Sequence, residues 1–249
     1  MTELVHLEVG DGVATITLDS QPNRNALGTQ LVSEVRAHLV AASADTDVRC
    51  VLIRSAGSVF CSGADLSEAV FGDGMLDRAR SLIALQRQIV TSPKPVVVEL
   101  AGAVRAGGLG IVGAADIVIA AESVTFQLTE VRLGLAAAVI SATLIPRFTD
   151  RAASDLFLTA RKFGALKAAR VGLITRAVPD DSLGAEIDLV LRELAKGYPQ
   201  GLRESKLILN RDVVARIDEL GESLAAKSVE LFESEEARAA MSAFLGKPK

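Results

Sequence analysis

The stretch "AGGLGIVGAAD", Ala106–Asp116, reads as a short buried helix that opens on a pair of glycines. Each glycine costs a helix about 1 kcal/mol relative to alanine, so a pair at one helix start calls for a reason. Three reasons compete on pattern alone. Close packing of helix on strand requires a missing side chain. A phosphate can sit at a helix N-terminus, although "GAVRAGGLG" has neither the GxGxxG spacing nor a Walker lysine. Bare main-chain N–H groups at a helix start can also face a developing negative charge, aided by the helix dipole. "VFCSGADL", Val59–Leu66, is a second glycine loop. Two such loops can each deliver one N–H to a single carbonyl oxygen, as a polarised thioester requires.

Both loops follow continuous apolar runs, "VRCVLIRSA" and Val96–Leu100, of the kind buried on both faces of a parallel sheet. "DIVIAAE" is a third such run, while "TQLVSEVRAHLVAASAD" and "ARSLIALQRQIVTS" have helical periodicity. Strand, loop and helix in repeated order predict an α/β core with crossover connections. "LVHLEVGDGVATITLD" predicts an N-terminal hairpin turning at Gly10–Gly12, and "GSVFCSGADLSEAV" is expected to run from a loop into a helix. Beyond about residue 150 the pattern is mostly helical. Two short helices break near Gly164, "ITRAVP" forms a brief strand, and long helical segments follow. The expected division is a core over residues 1–190 and a helical region over residues 191–249.

The composition suits a sizeable globular core: 249 residues, 49% apolar, formal net charge −4, mean hydropathy +0.34. The apolar runs are too short to span a bilayer, and "MTELVHLEVGDGV" lacks the basic and apolar regions of a signal peptide. A mildly acidic chain offers no general attraction to nucleic acid or to anionic membranes. Cys50 and Cys61 make neither a disulfide framework nor a zinc site and read as reduced thiols of a cytoplasmic protein.

Four segments, "QPNRNAL", "VFCSGADL", "AGAVRAGGLGIVGAADIVIA" and "FQLTEVRLGL", occur in an order and spacing that resembles the crotonase superfamily, the enoyl-CoA hydratase/isomerase family. "LFLTARKFGALKAARVGLITRAVP" and the tail "MSAFLGKPK" fit as well, so the resemblance covers essentially the whole chain. It implies an α/β fold, a crotonase (ClpP-like) spiral of ββα units whose C-terminal helices build a homotrimer or a dimer of trimers. It also implies an acyl-CoA substrate, with coenzyme A as part of that substrate and no metal or redox cofactor. By the match to "CSGAD", the oxyanion N–H groups would be those of Ser62 and Gly107. Gly63, Ala64 and Asp65, with Gly108, would line the thioester arm.

Hydratases of this family carry two glutamates. The first, in a G-G-x-E pattern, maps onto Gly110 and is therefore absent; the second maps onto Glu130. Hydration needs water activation at Cβ and proton delivery at Cα, whereas moving a double bond needs one base that shuttles a proton. Chemistry thus tilts toward an isomerase. "TEVRLGL" followed by "AVIS" instead resembles a branch that hydrates branched or carboxylated enoyl-CoAs of the methylglutaconyl type, although Ala137 stands where that branch has proline. Hydration of a 2-enoyl-CoA is the leading expectation. Double-bond isomerisation and a non-catalytic acyl-CoA-binding protein are the alternatives.

Arg105, between strand and glycine pair, and Lys247, in the tail, are further substrate-binding candidates; a guanidinium at 105 would suit a carboxylated acyl group. Arg132 and Arg24 read as surface charges or ion pairs, and Glu99 as a strand-end carboxylate. Ser62 lacks a nucleophile elbow and a nearby histidine, since His6 and His38 lie in unrelated segments. Asp65 and Asp116 read as anchors of loop and strand ends, with no metal-ligand cluster around them.

Overall fold

Glycine-punctuated apolar runs set the path of the chain, and a computed structural model describes residues 2–68 and 74–245 of it. The expected hairpin forms from β1 (Val5–Gly10) and β2 (Val13–Leu18), with Asp11 and Gly12 at positive φ in the turn. Helix α1 (Thr29–Ala44) follows, and then three turns of a spiral. The first turn is β3 (Cys50–Ser55), β4 (Val59–Cys61) and α2 (Met75–Thr91). The second is β5 (Val96–Leu100), β6 (Ala103–Arg105) and α3 (Gly108–Ala114). The third is β7 (Ile117–Ala121), β8 (Thr125–Gln127), a 3-10 turn at Glu130–Leu133 and α4 (Ala138–Leu144). The chain continues through α5 (Asp150–Thr159), β9 (Phe163–Gly164), α6 (Ala165–Arg170), β10 (Arg176–Val178), α7 (Leu183–Ala195), α8 (Pro199–Phe232) and α9 (Glu235–Leu245). Of the segment "LSEAV", expected to be helical, residues 66–67 form a turn, and the expectation for residues 69 and 70 lies outside the described residues.

Each spiral turn places one strand in each of two sheets. The larger has the order β1-β2-β3-β5-β7-β10 and is parallel from β2 onward. The smaller has the order β4-β6-β8-β9, its first three strands parallel. Val96, Val97 and Val98 are fully buried, as continuous apolar runs require. Because β4, β6 and β8 are parallel neighbours, the residues just past their carboxyl ends (62–64, 106–108 and 128–130) meet along one edge. Open parallel sheets bind ligands at such an edge.

Val213 and Ile217 of α8 belong to the same core as the strands, and the boundary expected at residue 190 falls inside α7. Helix α8 packs along α2 and α4. A buried ionic cluster fixes it there. Lys206 Nζ lies 2.7 Å from Asp116 Oδ2 and donates to the carbonyls of Ile89 and Lys94. Asn210 donates to Asp116 Oδ1 at 2.9 Å, and Asp116 accepts from Val96 N–H. Asp116 is thus the anchor its position suggested. Helix α9 folds back on the Glu130–Leu133 turn, where Leu135, Ala237 and Met241 form a small second core.

Candidate active site

The "QPNRNAL" segment shapes the first loop. Arg24 and Asn25 hold positive φ, a conformation that Asn tolerates better than most residues. Buried Asn25 accepts from Ser20 N–H at 2.6 Å and donates to the Val59 carbonyl at 2.9 Å. The segment then pairs with the second glycine loop through Leu27 N–H and the Gly63 carbonyl, 2.7 Å. Asn23 donates to Asp65, which also accepts from the Ser67 main chain and hydroxyl. Burial opposes the Asp65 carboxylate, but these bonds from Ser67 and Asn23, with the Glu68 main chain, outweigh it and hold its pKa below the ordinary value.

One expected donor is already engaged. Ser62 N–H donates to the Arg24 carbonyl at 3.1 Å, and its hydroxyl donates to the Asn23 carbonyl at 3.0 Å. Ser62 therefore braces the loop, and its amide is not free for a ligand oxygen. Two residues on, Ala64 N–H makes no main-chain hydrogen bond among the described residues, and neither does Gly107 N–H. These two amides lie together: a Cβ built on Gly107 would stand 3.6 Å from Ala64 N and 3.2 Å from Leu27 Cδ1. Reading by sequence position missed Ala64 as a donor because only the three-dimensional pairing with "QPNRNAL" shows which amide is used.

The glycine pair divides its roles. Gly107 caps α3 beside the free amides, whereas a Cβ on Gly108 would fall 2.7 Å from Cys61 Cβ, so Gly108 serves close packing. Gly63 sits at φ +102 with Ala106 Cβ 2.8 Å from its own absent Cβ, which leaves no alternative to glycine. Ala106 itself is at φ +44, a strained corner for a residue with a side chain.

Glu130 opens the 3-10 turn after β8, and its Oε2 is buried without a hydrogen-bond partner among the described residues. Burial pushes its pKa up to about 7, against the pull of main-chain N–H groups of Glu130 and Thr129. Ser62, Ala64, Asp65, Gly107 and Glu130 line one cavity of about 610 Å³. The cavity also takes an apolar wall from α1, α2, α4 and α8. Such a concave, mostly apolar site with a few convergent polar groups suits a small organic ligand.

At position 110 a Cβ would lie 2.7 Å from Ile140 Cγ2 and 3.0 Å from Gln86 Cδ. Buried Gln86 is locked there, donating to the Leu82 and Val139 carbonyls and accepting from Thr143 at 2.6 Å. Any side chain at position 110 would therefore meet Ile140 and Gln86 at its first carbon.

Other candidates lie elsewhere. Arg105 turns away from the cavity, donating to the Val104 carbonyl and to the Thr125 carbonyl and hydroxyl, which corrects its assignment to substrate. Arg132 and Arg24 are exposed and do not line the cavity. Glu99 faces a separate depression beside Arg54 and Asp188. His38 donates to the Val5 carbonyl and takes no part in the cavity wall. Cys50 and Cys61 are buried free thiols, and burial raises the Cys61 thiol to about 12. Lys247 lies outside the described residues. Among the described residues no cluster of metal-ligating side chains occurs, and no helix is long and apolar enough to cross a membrane.

Known proteins resemble this chain in sequence and in fold. A sequence model of the family described as "Enoyl-CoA hydratase/isomerase" matches residues 8–249. A putative enoyl-CoA hydratase of Thermus thermophilus is 34% identical over 83% of this chain and 83% of its own. The 1,2-epoxyphenylacetyl-CoA isomerase of Escherichia coli is 30% identical over 84% of this chain and 83% of its own. The crystal structure of an enoyl-CoA hydratase from Mycobacterium avium superposes with a TM-score of 0.92 and 45% identity, covering 98% of this chain and 97% of that one.

Proposed function

The chain belongs to the enoyl-CoA hydratase/isomerase family, and from that premise we propose that it hydrates a 2-enoyl-CoA through an enolate. The observation that carries the reading is the buried Glu130 carboxyl, its Oε2 without a partner among the described residues, poised near pH 7 in the same cavity as two free main-chain amides. The thioester oxygen accepts from Ala64 N–H and Gly107 N–H, which stabilise the charge that develops as the enolate forms. Gly63 and Asp65 hold the loop that presents the first amide, and Gly108 seats the helix that presents the second. Neutral Glu130 gives its proton to Cα while water oxygen bonds Cβ, and the surplus proton of that water returns to Glu130. Coenzyme A enters as part of the substrate, and no step calls for a metal or redox cofactor.

A second reading rests on the filled position 110. With Ile140 and Gln86 in place of a second carboxylate, Glu130 in its ionised form can take a Cα proton from a 3-enoyl-CoA and return it to Cγ. The pH profile separates the two. Hydration needs protonated Glu130, so kcat/KM falls as pH rises through about 7; isomerisation needs the carboxylate, so it rises through the same range. The experiment is a turnover panel of 2-enoyl- and 3-enoyl-CoA thioesters with the native protein and Glu130→Gln. Activity undiminished in Glu130→Gln would remove both readings, and tight thioester binding without turnover would point to a binding protein.

The assembly proposed is a homotrimer or a dimer of trimers in the cytoplasm, built through the helical region 191–249. Supporting it, Tyr198, Ile208 and Leu209 of that region stand 82%, 77% and 79% exposed, an apolar surface that association would bury.

A further inference from the structure

The cavity wall holds a cation with a donor to spare. Arg78 lies in the first turn of α2, and its Nη2 is buried without a hydrogen-bond partner among the described residues. Met75 and Leu82, three residues before it and four after, share its face of the helix and line the same cavity, so the guanidinium is set in an apolar wall. Neither carboxylate of the described cavity wall serves it. Asp65 is taken up by Asn23 and Ser67, and Glu130 Oε2 is itself unpartnered. Arg36, a second arginine of the wall, differs in being held by Gln88 through its Nε at 3.4 Å. A buried donor left unmade is unfavourable, more so on a charged group, and a ligand acceptor removes that penalty on binding.

We propose that Arg78 binds a carboxylate at the far end of the acyl chain, so that the site selects acyl thioesters with an ω-carboxylate over those ending in a methyl group. A planar guanidinium matches a carboxylate in a two-bond fork, whereas an apolar chain end would leave Nη2 unpartnered. The proposal rests on the acyl-thioester reading of the cavity and names the substrate class within it. The phosphates of coenzyme A offer the same anionic oxygens, and the test separates the two sources.

Calorimetry measures binding of saturated ω-carboxyacyl-CoA thioesters, from glutaryl-CoA upward in chain length, against their methyl-ended counterparts. The same pairs are measured as pantetheine thioesters, which carry no phosphate. None of these ligands can be hydrated, so the outcome does not depend on turnover, and the hydration reading stands or falls separately on the enoyl panel. For at least one chain length the native protein binds the carboxylated thioester about tenfold or more tightly than its counterpart. Arg78→Met loses about 10- to 100-fold for that ligand and less than about threefold for the neutral one, in both series. Arg78→Gln provides the same comparison should Arg78→Met fold poorly. No preference for the carboxylate at any length overturns the proposal. Equal losses on both chain ends in the coenzyme A series, vanishing with pantetheine, overturn it in favour of a phosphate contact.

Discussion

At the scale of single residues, burial of Glu130 trades stability for reactivity. Its folded-state pKa of about 7 lies above the ordinary 4.5, so the folded protein holds this proton more tightly than the unfolded chain. Its contribution to stability is therefore fully present below about pH 4.5 and is lost as pH rises through 7. Glu130→Gln keeps the shape without the charge. Its melting temperature should exceed that of the native protein at pH 8, by the equivalent of about 3 kcal/mol, with the difference vanishing toward pH 4.5. The same variant should lose roughly 10²–10⁴ in kcat. The glycine pair predicts a second contrast. Gly107→Ala intrudes only on the flexible end of Leu27 and on the space over Ala64 N, so it should lower kcat at least about tenfold with little change in stability. Gly108→Ala meets Cys61 Cβ at 2.7 Å and should cost about 1–3 kcal/mol in urea unfolding.

At the scale of elements, two junctions carry testable weight. Lys206 joins α8 to the α3–β7 corner through a buried pair, and removing Lys206 strips Asp116 of its ammonium partner while its hydrogen bonds from Asn210 and Val96 N–H remain. Lys206→Met should therefore cost about 3–5 kcal/mol, and adding Asp116→Asn should recover part of it, a double-mutant cycle being the check. The α3–α4 contact is equally particular. Gly110→Glu should destabilise the fold without raising hydration, because Ile140 and Gln86 crowd the first carbon of any side chain there; greater hydration in a stably folded variant would contradict that packing. These junctions also show what was readable from the residues. The hairpin, the buried strands 50–55 and 96–100 and the helical C-terminal region follow from apolar periodicity, which reports local burial. Strands β4, β6 and β8 are three residues long; the first two read as loop and the third as the approach to a helix, because a run that short has no period. Glu130 was found through its motif, not through its surroundings. The engaged amide of Ser62 and the bonds of Arg105 to Thr125 depend on partners 20 or more residues away, which no local pattern encodes. The spare donor of Arg78 is likewise a property of the assembled cavity wall and not of the α2 sequence.

At the scale of the molecule, three crossovers of one spiral bring three loop ends to one edge, and the α8–α9 hairpin closes over them. Relatives of the chain are named for hydration and for isomerisation of coenzyme A thioesters, so membership of the family does not by itself fix the reaction. Charge placed in the exposed α8 surface, as in the double variant Ile208→Asp and Leu209→Asp, should shift the sedimentation of the protein toward monomer while its circular dichroism is unchanged. Exchange of the Cα protons of butyryl-CoA with deuterated solvent reports directly on enolate formation, with no water addition and no double bond involved. The native protein should wash deuterium into that position, and Glu130→Gln should bind the thioester yet exchange at least about 100-fold more slowly. Exchange at the native rate in Glu130→Gln, or none in a native protein saturated with the thioester, would contradict the assignment of Glu130 and the two amides.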